Sequence, residues 1–174
     1  MRPCSLPYPH LRRPIIEGLL RQGETCNLIS HTKVGKSWMA LGLAICVATS
    51  RPWLDTFKVS AGRVLLIDNE LHPETIVSRL RKVADGMMIP FDDIADVIEV
   101  LSLRGRLQHW GDLLLTLEEA VSTYQLVITD AWYRMLASGI SENDNAEIAG
   151  VYNQIDQLAD QLNCGIVMVH HTSK

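Results

Sequence analysis

Short apolar runs alternate with helical patterns along this chain, and that alternation limits most strongly what it can fold into. Helical segments are predicted from about Lys36 to Ser50, from Pro73 onward, over Trp110–Tyr124 and over 141–163. The apolar runs between them have the length of strands: Thr25–Ser30, Arg63–Asp68, Asp96–Leu103, Gln125–Asp130 and Gly165–His171. Continuously apolar strands that alternate with helices indicate a parallel sheet covered on both faces. The sequence therefore predicts an α/β fold of three layers around a mostly parallel sheet of about five strands.

Length and composition favour a single domain with its own core. The 174 residues, 47% of them hydrophobic, are enough to bury a sizeable interior, so we expect one domain over 1–174 with 1–22 as a lead-in segment. The longest apolar run, Trp38–Ala48, is too short to span a bilayer, and the N-terminus lacks the apolar stretch of a secretory signal. Scattered cysteines fit reduced thiols in a cytoplasmic protein better than disulfides or a zinc site: Cys4, Cys26, Cys46 and Cys164.

The stretch NLISHTKVGKSW, residues 27–38, nearly matches the phosphate-binding pattern G-x-x-x-x-G-K-[ST]. Ser30 stands where that pattern has its first glycine, while Gly35, Lys36 and Ser37 fit it. The strand before and the helix after supply the required context, because loop N–H groups and the helix N-terminus together hold a phosphate. In such a loop Gly35 lets the backbone approach the phosphates, Lys36 neutralises their oxygens and the Ser37 hydroxyl coordinates Mg²⁺. The sequence therefore predicts a nucleotide site rather than an ordinary strand–helix turn.

Polar side chains also follow the other predicted strands, at the edge where ligands bind in parallel sheets. Asp130 ends LVITD, which has the form of a strand whose acid reaches a magnesium ion through water. Glu70 follows VLLID and is placed to polarise an attacking water, with Asp68 as a weaker competitor on the same side. A polar group ending the last strand is a candidate sensor of the γ-phosphate, and a merely structural role for His170–His171 stays open. Because neighbouring strand residues face opposite sides, the two histidines do not suit one metal ion.

Taken together, these segments resemble the RepA-like branch of RecA-type ATPases, which includes plasmid and phage replicative helicases. The resemblance runs from about Glu17 to Lys174 and rests on five ordered segments: SHTKVGKSWMALGLA, RVLLIDNELHPETIVSRL, LVITDAWYRML, SENDN and IVMVHHTSK. It implies a RecA-like P-loop NTPase core with ATP and Mg²⁺ as ligands. It also implies nucleotide contacts along the whole loop: Ser30, His31, Thr32, Lys33, Val34, Gly35, Lys36 and Ser37.

The resemblance further implies roles for particular side chains. Glu70 looks like the catalytic glutamate, and Lys36 like the catalytic lysine of the loop. His171, the second polar residue of its pair, looks like the contact to the γ-phosphate. Ser37 and Asp130 are the implied metal-binding residues.

Proteins of this branch bind ATP between the subunits of a ring, usually a hexamer, and couple hydrolysis to movement on single-stranded DNA. We therefore expect a homo-oligomer with single-stranded DNA as a possible partner and no membrane association. The net charge of −4 weighs against an unaided grip on nucleic acid. Related chains continue past HHTSK with DNA-facing loops and an arginine finger, so we expect this chain to be a C-terminally incomplete copy.

Two other functions stay open. An ATP-binding regulatory module would use the same loop with little turnover, whereas a small-molecule kinase would transfer the phosphate to an acceptor other than water. Glu70 favours water as the acceptor, and the chain has no arginine-rich lid segment, so the kinase ranks last. Trp38, Trp132 and Tyr133 lie near loop ends and are candidates to stack on adenine, although packing is the expected role for all three.

Overall fold

The computed structural model describes residues 10–31, 33–105, 124–131 and 145–172, with 145, 146, 171 and 172 described in their backbone alone. Seven strands lie within these ranges: β1 Pro14–Ile16, β2 Leu20–Arg21, β3 Thr25–His31, β4 Arg63–Asp68, β5 Ile98–Ser102, β6 Tyr124–Asp130 and β7 Gly165–Thr172. Four helices lie there as well: α1 Lys36–Thr49, α2 Pro73–Gly86, α3 Asp92–Ala95 and α4 Asn145–Leu162.

Strands β3 to β7 form one five-stranded sheet in the order β3-β7-β6-β4-β5. Every neighbouring pair in this sheet runs parallel, so the carboxyl ends of all five strands meet along one edge. The register sets Asp68 of β4 opposite Asp130 of β6 and Ser102 of β5. At the other side of the sheet, Ser30 of β3 lies opposite His171 of β7. The strand ends singled out by the sequence are therefore neighbours in space.

Helices cover both faces of the sheet, because the central strands β4, β6 and β7 are apolar on both sides. Helices α1 and α2 pack on one face, where Ile45 and Leu80 meet strand residues such as Ile128. Helix α4 packs on the other face through Ile155 and Leu158. The three-layer α/β fold with a parallel sheet of five strands confirms the predicted fold class.

The amphipathic helices α2 and α4 each turn an apolar face toward the core. On α2, Ile76 and Leu80 are buried and Val83 packs at the margin of the core. On α4, four residues form the buried stripe, with Leu162 packed at its end: Val151, Ile155, Leu158 and Ala159. Spacing at three and four residues is what places these side chains on one side of each helix.

A small hairpin precedes the main sheet, in the segment expected only as a lead-in. Strands β1 and β2 pair antiparallel, and Ile15 and Leu20 are fully buried against the core. Gly165, at the start of β7, admits this packing, since a Cβ there would lie 2.7 Å from Ile15 Cδ1 and 2.8 Å from Leu20 Cδ2. Each strand has at most three residues, which is too short for a sequence pattern to reveal.

The third predicted strand begins later than expected. The pattern DVIEVLSL predicts a strand from Asp96, whereas β5 begins at Ile98, and the four-residue helix α3 precedes it. Asp96 caps the end of α3, and the Val97 N–H donates to the carbonyl of Ile94, which keeps both residues in the turn. The predicted helix Trp110–Tyr124 lies outside the described residues except for Tyr124, which begins β6.

Three cysteines fall within the described ranges, and all three are free thiols: Cys26, Cys46 and Cys164. Burial raises the pKa of Cys164 to about 12, and burial with the nearby Asp55 carboxylate raises the pKa of Cys46 to about 11. Both thiols therefore stay protonated and unreactive at neutral pH. Across the ranges that the structure describes, no helix is both long enough and apolar enough to cross a membrane.

Candidate functional site

The loop between β3 and α1 contains two residues with a left-handed backbone. Gly35 caps α1 with φ 93°, and Lys33 also lies in the left-handed region with φ 64°. Left-handed residues in a short loop turn successive N–H groups toward one side, where they can receive an anion. Helix α1, 14 residues long, adds the positive end of its dipole at the same place and has no acidic residue in its first turn.

Lys36 begins α1 and turns its side chain back over the loop. The residue is only 5% exposed, and Nζ donates to the carbonyl oxygens of Ser30 at 2.6 Å and His31 at 2.5 Å. Both acceptors are uncharged carbonyl oxygens, so neither of them forms an ion pair with the ammonium. This position suits a lysine that exchanges one carbonyl partner for a phosphate oxygen.

A cavity lies directly beneath the first turn of α1, at the carboxyl edge of the sheet. It is enclosed between α1, α2, β4 and β6, and its polar lining comes from four side chains: Ser37, Asp68, Arg79 and Asp130. A second, more open cavity lies over the loop itself, from Lys33 to Trp38, and Arg79 lines that cavity too. Ser37, Asp68 and Asp130 thus line one cavity next to the phosphate loop.

Asp68 forms the end of β4 and is 7% exposed. Its Oδ1 accepts hydrogen bonds from the backbone N–H groups of Glu70 and Leu71, at 2.8 and 2.7 Å. Burial raises the pKa of Asp68, and the charges of Asp130 and Glu70 raise it further, while the two backbone hydrogen bonds oppose the shift. Asp68 therefore fixes the turn that follows β4 and also brings a second carboxylate into the cavity.

The turn that contains Glu70 is held from both sides. The Asn69 N–H donates to the Asp130 carbonyl at 2.8 Å, and the Arg104 guanidinium donates to the Glu70 carbonyl at 2.6 Å. Asn69 itself is buried, although the sequence offered no signal for it. Glu70 is half-buried and is not among the residues that line the enclosed cavity, whereas Asp68 is. Asp68, the weaker competitor in the sequence analysis, lines the same cavity as Ser37 and Asp130.

The two histidines at the end of β7 have different surroundings. His171 is described in its backbone alone, opposite Ser30. The ring of His170 stacks against Tyr152 of α4, whose hydroxyl lies 3.1 Å from Nε2 and donates to Asn27 Oδ1 at 3.3 Å. His170 therefore belongs to a contact between α4 and the sheet, on the face away from α1.

The structure adds two findings at the site that the sequence analysis did not predict. Packing was expected for Trp38, yet its side chain is 43% exposed at the rim of the loop cavity, so that expectation is wrong for this residue. Arg79 was not predicted as a site residue. It lies between Ile76 and Leu80, at the margin of the apolar face of α2, and helical spacing could have indicated this position. Thr32, Trp132 and Tyr133 lie outside the described residues.

The family model described as an AAA domain matches residues 6–174 of the chain. The chain therefore belongs to this family of P-loop ATPases, and it is a nucleotide-binding module of the ATPase type. Members of the family generally bind ATP with Mg²⁺ and often assemble into rings. The parallel five-stranded sheet and its three layers fit a P-loop NTPase core.

The donor set at the cavity suits a hard, oxygen-loving cation such as Mg²⁺. Ser37 and Asp130 offer a hydroxyl and a carboxylate, and Asp68 offers a second carboxylate nearby. Among the described residues, no three His, Cys, Asp or Glu side chains are grouped closely enough to hold a metal ion by themselves. Mg²⁺ usually takes one or two protein ligands and completes its shell with phosphate oxygens and water, so this sparse set fits it.

Proposed function

We propose that this protein binds Mg-ATP and hydrolyses it as the RecA-like module of a RepA-type replicative helicase or a related DNA-replication ATPase. One observation supports this most: Ser37, Asp68 and Asp130 line a single cavity directly under the Gly35–Lys36 loop. A hydroxyl and carboxylates beside a phosphate-binding loop are the arrangement that phosphoryl transfer to water requires.

Within that proposal, each loop residue has a defined part. The segment from Ser30 to Gly35, with left-handed residues at Lys33 and Gly35, receives the phosphates, and His31, Thr32, Lys33 and Val34 are proposed to contribute backbone contacts. Lys36 neutralises the outer phosphate oxygens, with its ammonium held over the loop by the two carbonyls described above. Ser37 and Asp130 would hold Mg²⁺, which neutralises charge on the phosphate oxygens when bound.

Glu70 is the proposed base that orients and polarises the attacking water. Its turn is fixed by the hydrogen bonds that Asp68 Oδ1 accepts and by the Arg104 contact to its carbonyl. A fixed turn is useful because a general base must lie within hydrogen-bond reach of the water it activates. His171 is the proposed sensor of the γ-phosphate, from a strand that runs directly beside the one leading into the loop.

The helicase part of the proposal is supported by the order of the motif segments and by the tendency of AAA ATPases to form rings. In such a ring a neighbouring subunit completes the site, so turnover should depend on protein concentration. Single-stranded DNA is the proposed partner. Addition of single-stranded DNA to the full-length protein should therefore raise the rate of ATP hydrolysis.

A regulatory ATP-binding module remains the second candidate, and one observation favours it. Glu70 is not among the residues that line the enclosed cavity, which fits slow turnover unless nucleotide binding moves the turn. DNA-independent hydrolysis at a barely measurable rate, with tight ATP binding, would support this candidate over the helicase.

Calorimetric titration with Mg-ATP tests the phosphate-loop assignment. Lys36→Ala should weaken binding by at least tenfold, because a charge-assisted phosphate contact is worth roughly 1.5–3 kcal/mol. Lys82→Ala, an exposed lysine on α2, is the matched control and should bind as the wild type does. Equal affinity in the wild type and Lys36→Ala would remove the proposed nucleotide site.

A further inference from the structure

Arg79 lines both cavities at the phosphate loop, as Ser37 does, and it is the cation that they share. It lies on α2, and the two cavities bring it beside Ser37 from the inner side and beside Lys33 and Gly35 from the outer side. We propose that Arg79 binds the terminal phosphate of the nucleoside triphosphate, as a second cation supplied by the same chain. This inference rests on the proposed nucleotide site and names a residue that distinguishes a triphosphate from a diphosphate.

The position of Arg79 on its helix is fixed by packing. Ile76 and Leu80 on either side of it are buried in the core, so the backbone of α2 cannot rotate. The Arg79 side chain is half-buried at the margin of this apolar face. Helix α2 also begins three residues after Glu70, which ties Arg79 to the proposed catalytic turn through one rigid element.

Trp38 holds the guanidinium at the rim of the site. The Arg79 Cζ atom lies 5.5 Å from the centre of the Trp38 ring, within the range of a cation–π contact. Trp38 follows Ser37 directly, so this contact sets Arg79 beside the first turn of α1. The guanidinium group has five N–H donors, so a contact with the ring leaves donors for another acceptor.

The charge balance of the cavity favours a cation at this place. Asp68 and Asp130 bring two carboxylates into it, and a triphosphate would add several negative charges beside them. Lys36 supplies one positive charge, and its Nζ is shared with two loop carbonyls. Within the described part of the chain Arg79 forms no ion pair with a carboxylate, unlike Arg12 and Arg63. Lys33 lines the outer cavity alone, so Arg79 is the further cation that the geometry offers to a phosphate from both cavities.

Guanidinium and ammonium groups recognise phosphate differently, and this decides the test. An arginine binds two phosphate oxygens through paired N–H donors, whereas a lysine offers a point charge. If Arg79 contacts the terminal phosphate, its removal should affect ATP far more than ADP, and a lysine should restore only part of the loss.

The experiment compares ATP and ADP affinities, in the presence of Mg²⁺, of the wild type, Arg79→Ala and Arg79→Lys. Arg79→Ala should raise the Kd for ATP by about 10- to 100-fold and leave that for ADP within about threefold. Arg81→Ala is the matched control, since Arg81 lies on the same helix with its Cζ 3.8 Å from the centre of the Phe91 ring. Its ATP affinity should be that of the wild type.

A purely structural role for Arg79 gives a different pattern. Trp38→Leu removes the ring and leaves the guanidinium. If Arg79 only stacks on Trp38, then Trp38→Leu and Arg79→Ala should have the same melting temperature and the same affinities for ATP and ADP. That pattern, or an equal loss of ATP and ADP binding in Arg79→Ala, overturns the inference. The Lys36→Ala titration keeps the two proposals separate: if Lys36→Ala weakens ATP binding and Arg79→Ala does not, only the role of Arg79 fails.

Discussion

Replacing Asp68 tests whether one buried carboxylate organises the turn that bears Glu70. Asp68→Ala removes two hydrogen bonds that the backbone N–H groups of Glu70 and Leu71 donate to Oδ1. Hydrogen bonds to a charged group are worth roughly 1.5–3 kcal/mol each, a gross loss of about 3–6 kcal/mol. Removal of a desolvated carboxylate that is repelled by Asp130 and Glu70 offsets part of this loss. We therefore expect Asp68→Ala to lower the free energy of unfolding by about 2–4 kcal/mol, a large share of the roughly 5–15 kcal/mol typical of a domain.

Asp68→Asn separates the hydrogen bonds from the charge. The amide oxygen can still accept from both N–H groups, as neutral hydrogen bonds of about 0.5–1.5 kcal/mol each, and the repulsion is gone. We expect this variant to lie within about 1 kcal/mol of the wild type at pH 7, because the two effects are of similar size and opposite sign.

The pH dependence follows from the direction of the pKa shift. The folded-state pKa of Asp68 is raised above its ordinary value of 3.8, so the folded protein binds this proton more tightly than the unfolded chain. The wild type should therefore gain stability relative to Asp68→Asn as the pH falls from 7 through the raised pKa, and the gain should level off below about 3.8. Above the raised pKa, the buried charge is a constant cost to the wild type alone.

Denaturant unfolding of the three proteins without nucleotide, at several pH values between 7 and 4, measures these differences. If Asp68→Ala and Asp68→Asn were equally stable at pH 7, the hydrogen bonds to the turn would contribute nothing and the reasoning would be refuted. If the wild type lost stability relative to Asp68→Asn on acidification, the assigned direction of the shift would be wrong.

Three further changes test other parts of the molecule. Glu70→Gln keeps the shape of the side chain, so ATP should still bind. Turnover in the full-length protein should fall at least about tenfold, because the general base is lost. Unchanged turnover in a steady-state assay would exclude that role. Gly35→Ala adds a Cβ that meets no atom within 4 Å, but an alanine at φ 93° is strained. Thermal unfolding should therefore show a loss of about 1–2 kcal/mol of stability. An unchanged stability would contradict the left-handed backbone at Gly35. Ile155→Ala should lower the free energy of unfolding by about 2–5 kcal/mol, because this α4 side chain is fully buried. Ile29→Ala, at a side chain on β3 that is 55% exposed, is the control and should lower it by under about 1 kcal/mol. Similar values for both variants would argue against the packing of α4 on the sheet.

Much of the fold follows from local pattern, because the main elements are long and strongly apolar. RVLLID and QLVITD are continuous apolar runs, and they form β4 and β6 at the predicted positions, with β6 one residue longer at its start. Helix α1 ends one residue before the predicted Ser50, which adopts the left-handed cap. The hairpin of β1 and β2 and the single turn of α3 were not predicted, since elements of two to four residues carry no measurable periodicity.

The site was predictable in its outline and less so in its detail. Gly35, Lys36, Ser37 and Asp130 belong to motifs with fixed spacing around a strand end, and those motifs identify a loop and an acid without tertiary information. Which carboxylate after β4 faces the cavity depends on how the chain turns beyond the strand. Asp68 takes that place because its own Oδ1 closes the turn. The exposure of Trp38 likewise depends on which residues pack over α1, and a local sequence pattern does not predict those contacts.

The pairing of β3 with β7 has a consequence for how the protein is made. Thr25 pairs with Ile166, so the strand that leads into the phosphate loop pairs, among the described strands of the sheet, with one near the opposite end of the described chain. Contacts between such distant segments form late, because the loop that they close carries a large entropic cost. During synthesis β3 therefore leaves the ribosome before β7 and cannot pair with it until β7 has also emerged. The strand pair beside the phosphate loop is therefore expected to form after the rest of the described sheet, although β3 is translated before the other four strands.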